Sequence, residues 1–254
     1  MKMLPRIIPC LLLRNQGFVK TQQFKNPVYL GDPLNILKIF NEKEVDEVVV
    51  LDITATVQNS EPQEHFLTEM ASECVMPMGY GGGIKTVQQA EAIFRCGYEK
   101  VVLNTAAFEN PALITEITRF FGSQSVVVSI DVRRSFFGKN EVYVRSGTKG
   151  TGMIPEEFAK QAEDRGAGEI LINSIDRDGT MKGYDLELIQ KIARAVSVPV
   201  IACGGAGNVL DLHSAIETGG ASAAAAGSMF VFQGKHRAVL INVPSQQDLR
   251  EVFK

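Results

Sequence analysis

The sequence predicts an eight-stranded α/β barrel, a (β/α)8 fold, and three observations carry that expectation. The chain has 254 residues, close to the roughly 250 of one such barrel. Eight short apolar runs alternate with amphipathic stretches, as successive βα units require. The chain also repeats itself. At an offset of 123 positions, GGGIKTVQQAEAIFRCGYEKVVLNTA lines up without gaps with GGAGNVLDLHSAIETGGASAAAAGSM. One half-barrel has therefore been doubled, with halves near 1–122 and 123–254, and no Pro/Ser-rich linker divides them. One domain with a shared core is expected. An open doubly wound sheet is the alternative, but it would not need eight evenly spaced units.

The predicted strands cover residues 6–13, 47–53, 75–80, 100–104, 125–132, 169–174, 198–203 and 221–226. Most are continuously apolar, the pattern of parallel strands covered by helices. Between them lie PLNILKIFNEKEVDE, VQQAEAIFRCGYE, PALITEITRFFG, PEEFAKQAEDRGAG and DLELIQKIARAVS, each with helical spacing of its apolar positions. Gly97, Gly122, Gly166 and Gly220 follow four helical stretches as stop signals.

Composition narrows the function. Hydrophobic residues at 45% and charged residues at 22% suit a soluble globular protein. Twenty-six basic against 29 acidic side chains leave a net charge of −3, so no fold-wide field for nucleic acid exists. No apolar run approaches the roughly 18 residues of a membrane span. The opening MKMLPRIIPCLLLRNQG lacks a small-residue cleavage site and soon meets Arg14; it reads as a buried strand rather than a signal peptide. Cys10, Cys74, Cys96 and Cys203 form no CxxC pair, which points to reduced thiols in a cytoplasm. His65, His213 and His236 show no metal-binding spacing, and no GxSxG elbow or Walker loop is present. Neither a metal nor a cofactor is expected.

In such barrels the reacting groups lie on the loops after the strand C-termini. There the sequence places Gly81-Gly82-Gly83 and Asn104-Thr105, and again Gly204-Gly205 and Gly227-Ser228. Glycine lets backbone N–H groups approach a phosphate closely. A glycine pair alone reads better as a tight strand-to-helix turn. Its duplication, with a hydroxyl residue at the matching place, favours two phosphate cradles and a ligand phosphorylated at both ends. Asp52, Asp131 and Asp176 also fall at strand ends, the last in the turn DRDGT with Gly179. Such carboxylates serve as general acid or base, or they tie loops; for Asp52 both readings stand. Lys20, in the polar stretch after the first strand, is either a phosphate partner or a solvated lysine. Cys203, at a strand end, reads as a packed small hydrophobe.

At the other mouth, four strands open on charged residues: Arg6, Glu47, Lys100 and Glu169. They can close a salt-bridged ring that is a plug or a gate for something small, and spacing alone leaves both open.

Taken together, RIIPCLLL, LDITAT, YGGGIKTVQQAEAIF, VVLNTAAFENP, FGSQSVVVSIDVR, GAGEILINSIDRDGT and VPVIACGGAGN resemble the cyclase subunit of imidazole glycerol phosphate synthase, over about residues 4–232. The resemblance implies a glutaminase partner at the bottom face. Ammonia would then cross the barrel to a bis-phosphorylated ribulosyl-formimino aminoimidazole carboxamide nucleotide, giving imidazole glycerol phosphate. It also implies that Arg6, Glu47, Lys100 and Glu169 are an ammonia gate, and that Lys20, Asp52, Gly82, Gly83, Asn104, Thr105, Asp176, Gly179, Gly204, Gly205, Gly227 and Ser228 contact substrate or its phosphates. The family divides acid and base duties between two opposed aspartates, on the first and fifth strands. Asp131 matches the second; the first position is Leu12, and leucine cannot shuttle a proton. The tail GKHRAVLINVP also departs from the ordinary cyclase C-terminus. With IIPCLLL, FVKT and IFNEKEVDE, it resembles a divergent branch associated with surface polysaccharides. For that branch the implied role is supply of ammonia to a separate sugar amidotransferase that forms an acetamidino group.

Overall fold

A computed structural model of the chain describes residues 4–135 and 138–254; Met1–Met3 of the opening stretch lie outside them. Eight parallel strands close on themselves: β1 (Arg6–Arg14), β4 (Val48–Asp52), β5 (Met78–Gly81), β6 (Lys100–Leu103), β7 (Val126–Arg134), β10 (Glu169–Ser174), β11 (Val200–Cys203) and β12 (Ala223–Ala226), which pairs back onto β1. Helices between them complete the predicted (β/α)8 barrel.

Local sequence explains the helices. In α1 (Pro33–Glu42), Asp32 accepts from the Asn35 N–H and proline fills the first helical position, where its missing N–H is not needed. Thr86 caps α4 (Val87–Arg95) and Asp185 caps α8 (Leu186–Ala195) by the same side-chain bond, each contributing about 1 kcal/mol. The α8 spacing puts Leu188, Ile189 and Ile192 on the buried face.

The third barrel strand starts later than its apolar run suggests. Val75 is 90% exposed and its N–H donates to Asn41 Oδ1. Pro77 lacks a donor for the ladder, so pairing begins at Met78.

Two insertions sit at the C-terminal mouth. A hairpin of β2 (Gly17–Gln22) and β3 (Lys25–Gly31) folds back from β1. The turn from β1 into β2, Asn15-Gln16, has positive φ of 48° and 60°, and the turn from β2 into β3, Gln23-Phe24, has 52° and 62°, the form that two-residue hairpin turns favour. After β7 the chain doubles back as β8 (Asn140–Val144) and β9 (Lys149–Gly150).

Candidate functional site

Alternate residues of a strand face opposite ways, and this rule builds the lumen. On β1 the inward positions run Arg6, Ile8, Cys10 and Leu12. Their neighbours Val49, Val102, Val127, Leu171, Ile201, Cys203, Ala223 and Ala225 join Ile8 and Cys10 in one buried cluster, with Leu51 packed against it. Charged side chains close one end of this apolar column, and a cavity opens at the other.

The closed end is the predicted ring. Glu47 accepts from Arg6 at 2.6 Å and from Lys100 at 2.9 and 3.0 Å. Glu169 accepts from Lys100 at 2.8 Å and also from Arg6. Charges therefore alternate around a square that sums to zero. Burial disfavours the Arg6 cation, but the pull of Glu169 and then Glu47 outweighs it and raises its pKa.

The open end is a cavity of about 470 Å³. Leu12, Lys20, Asp52, Gly82, Gly83, Asn104, Thr105, Asp131 and Gly227 line it, with Thr21, Asn173, Asp178, Cys10 and Cys203. Asp131 is buried opposite Asn173 in the strand register, and the Asn173 amide donates to its Oδ1 at 3.2 Å. Burial pushes the Asp131 carboxyl up to about 7; the Asn173 bond opposes that rise and the Asp178 charge adds to it. Such a group exchanges a proton near neutral pH. Leu12, at the same mouth, has nothing to exchange.

Lys20 is buried, not solvated. Its ammonium reaches both oxygens of Asp178 at 2.9 Å. Asp52 has the loop-tying role: its Oδ1 accepts from Thr54 N, Thr54 Oγ1 and Ala55 N. Asp176 is exposed, does not line the cavity and accepts from the Arg134 N–H at 2.8 Å. Asp178, two residues on, is the acid that the DRDGT turn delivers inward. Its bond to Lys20 and its place in the cavity wall mark it out. The Cys10 thiol and burial hold the Cys203 thiol well above its ordinary range, so it is a packed, unreactive group.

The two cradles match in backbone. Gly82 and Gly205 have φ of 120° and 125°, and a Cβ at either would meet a carbonyl oxygen at 2.5 and 2.2 Å. Thr105 and Ser228 each open a short helix, α5 (Thr105–Glu109) and α10 (Ser228–Val231), after caps with φ/ψ of −120°/−81° and −112°/−73°. Both are buried. The first cradle faces the cavity. Of the second, Gly227 lines it, whereas Gly179, Gly204, Gly205 and Ser228 do not. Thr21 Oγ1 and Asn173 Oδ1, on cavity-lining residues, are buried with no hydrogen-bond partner among the described residues.

The family model for histidine biosynthesis protein matches residues 6–237. The chain belongs to this family. Among its relatives, a Pseudomonas aeruginosa protein provisionally named imidazole glycerol phosphate synthase subunit hisF2 is 54% identical over 96% of this chain and 97% of its own. A Vibrio vulnificus protein provisionally named subunit hisF3 is 49% identical over 98% of this chain and 96% of its own. The Alkaliphilus metalliredigens imidazole glycerol phosphate synthase subunit HisF is 44% identical over 89% of each chain. The HisF-like histidine biosynthesis barrel therefore accounts for nearly the whole sequence. Among the described residues, no helix is long and apolar enough to cross a membrane.

Proposed function

We propose that this HisF-like barrel receives ammonia from a glutaminase docked at the Arg6–Glu47–Lys100–Glu169 end and conducts it to the upper cavity. There it passes to a separate acceptor enzyme instead of being consumed in imidazole ring closure. The observation that carries this reading is Leu12 at the mouth that holds Asp131. Ring closure by the family's route needs a proton donor and a proton acceptor facing the substrate, and losing one such group commonly slows a reaction about 10²–10⁴-fold. The rest of the machinery for moving ammonia is kept. The ring is neutral, the column above it is apolar, and Ala223 and Ala225 leave the wall short on one side. Neutral ammonia gives up hydrogen bonds to water on entering such a column, but an ion gives up far more.

In this reading the chain is one domain of two half-barrels working in a cytoplasm. The acceptor is a sugar amidotransferase that converts an acetamido to an acetamidino group for a surface polysaccharide. The cradles at Gly82, Gly83, Asn104 and Thr105 and at Gly179, Gly204, Gly205, Gly227 and Ser228 bind the phosphates of an inherited bis-phosphorylated ligand. Lys20, Asp52 and Asp176 support the same mouth, Asp176 through the Arg134 backbone. The rival reading is a working cyclase of histidine biosynthesis, in which Asp131 alone manages both proton transfers. It gains support from the carboxyl poised at about 7.

The deciding experiment is ammonia-dependent turnover of the ribulosyl nucleotide by the purified barrel, beside its Leu12→Asp variant. The conduit reading expects no wild-type turnover and a gain in the variant. Clear wild-type turnover overturns it.

A further inference from the structure

The two cradles share a backbone and differ in charge. Each is attended by an arginine held at positive φ, Arg145 at 54° and Arg237 at 52°. In the first, the Arg145 backbone N–H donates to Thr105 Oγ1 at 2.9 Å, while its guanidinium turns away to Glu109. In the second, the guanidinium itself arrives. Arg237 Nη1 donates to the Gly179 carbonyl at 2.9 Å and Nη2 to Ser228 Oγ at 3.2 Å. The guanidinium carbon stands 4.6 Å over the Phe232 ring.

Arg237 comes from the C-terminal tail, outside the repeated segments. It sits in a tight turn between β13 (Phe232–Gln233) and β14 (Ala238–Val239), closed by its own N–H to the Gly234 carbonyl. A non-glycine residue in the left-handed region persists where surrounding structure fixes it. Bonds from Leu240 N to the Val231 carbonyl and from Asn242 N to the Phe230 carbonyl fix this tail.

Its charge has no counterpart. Among the described residues no carboxylate lies within ion-pair distance of Arg237; it is half-buried against two neutral acceptors and a ring. Two of five guanidinium N–H groups are committed, leaving three. Ser228 Oγ accepts from the arginine, so its own proton is free to be donated. Thr21 Oγ1, on the neighbouring β2 strand, is buried and without a partner among the described residues. The Thr21 carbonyl packs against Gly179, whose added Cβ would meet it at 2.4 Å. An unpaired guanidinium with the Ser228 hydroxyl beside the positive-φ Gly179 is a donor set for a tetrahedral oxyanion.

We infer that Arg237 is the cation of an anion subsite at Gly179, Gly205 and Ser228, which takes the phosphate end of a ligand reaching in from the cavity. The first cradle holds its end by neutral donors, so the charge fixes which way round an unsymmetrical ligand lies. The inference rests on the phosphate-cradle part of the proposed function and adds Arg237 to it; it does not depend on ammonia transfer.

The test is a titration of the full-length barrel with inorganic phosphate, followed by ¹H–¹⁵N NMR at the backbone amides. The Gly227 and Ser228 amides are expected to shift on titration. Arg237→Ala should raise the apparent Kd at those amides about tenfold or more, the size of a lost charge-assisted hydrogen bond, while the Thr105 amide titrates as before. Arg237→Lys, which keeps the charge and the stem over Phe232, should fall between. It also decides the matter if the alanine variant does not fold. No shift at Gly227 and Ser228 in the wild type overturns the inference. An unchanged Kd in Arg237→Ala makes the arginine a pin for the tail. A tighter Kd means that the guanidinium occupies the place of the anion.

Discussion

The Lys20 ammonium stands 2.9 Å from both carboxylate oxygens of Asp178, with both side chains buried at the mouth of the barrel. The pair ties the β2–β3 hairpin, inserted after β1, to the loop after β10. Both charges are largely withdrawn from water at the wall of the cavity, so each depends on the other. Lys20→Met should lower stability by about 3–5 kcal/mol, the cost of leaving one buried charge alone. That corresponds to a fall in Tm of roughly 10 °C at this size. Adding Asp178→Leu should recover most of the loss, because an apolar pair of similar volume replaces a buried ion pair at little cost. Thermal unfolding of the two variants checks this, and a double variant no better than Lys20→Met would refute it.

Asp131 makes stability depend on pH. Its carboxyl stands at about 7 in the fold against about 4 in an unfolded chain. The fold therefore favours the neutral form. That contribution is fully present below about pH 4 and is lost as pH rises from about 4 through 7. Asp131→Asn removes the dependence. Its stability relative to the wild type should climb across that window and level off above it. Urea midpoints for both proteins at about pH 4.5, 6 and 8 measure the climb, and a flat difference would mean an ordinary carboxylate.

Lys100 links the two acids of the ring. Lys100→Ala leaves Glu47 and Glu169 sharing Arg6 alone, with a net charge of −1 where the ring was neutral. In the complex of glutaminase, barrel and acceptor enzyme, more glutamine should be hydrolysed per ammonia delivered, while circular dichroism stays that of the wild type. Free ammonia in the medium, measured against product, gives the ratio. A ratio equal to that of the wild type would make the ring a plug.

A bis-phosphorylated ribulosyl nucleotide should protect the barrel from heat. At a hundredfold excess over Kd, binding adds about 2.7 kcal/mol, which is roughly 5–10 °C in Tm for a chain of this size. Differential scanning with and without the ligand reads the shift directly. No shift at saturation would mean that the cradles no longer bind.

The barrel was legible because most of its strands are apolar along their length and the long helices carry an apolar stripe, some with a side-chain cap as well. The matched cradles were legible because duplication repeats the glycines whose φ the turns require. Short elements were not. α5 and α10 hold five and four residues, too few for a helical period to show. The β2–β3 hairpin, GFVKTQQFKNPVYLG, alternates too briefly among polar residues to stand out. Asp178 was hidden beside Asp176, since a DRD turn does not say which acid points inward. Arg237 could not be placed at all: its role rests on a tail crossing to a loop 58 residues earlier in the chain.

Arg6, Ile8, Cys10 and Leu12 share one face of one strand, so both ends of the column are written into seven consecutive residues. Inserting or deleting a single residue within them would turn part of that face outward, because side chains alternate strictly. Either the ring arginine or the mouth leucine would then point into the helical layer. This segment can change its residues one for one, but its length is frozen.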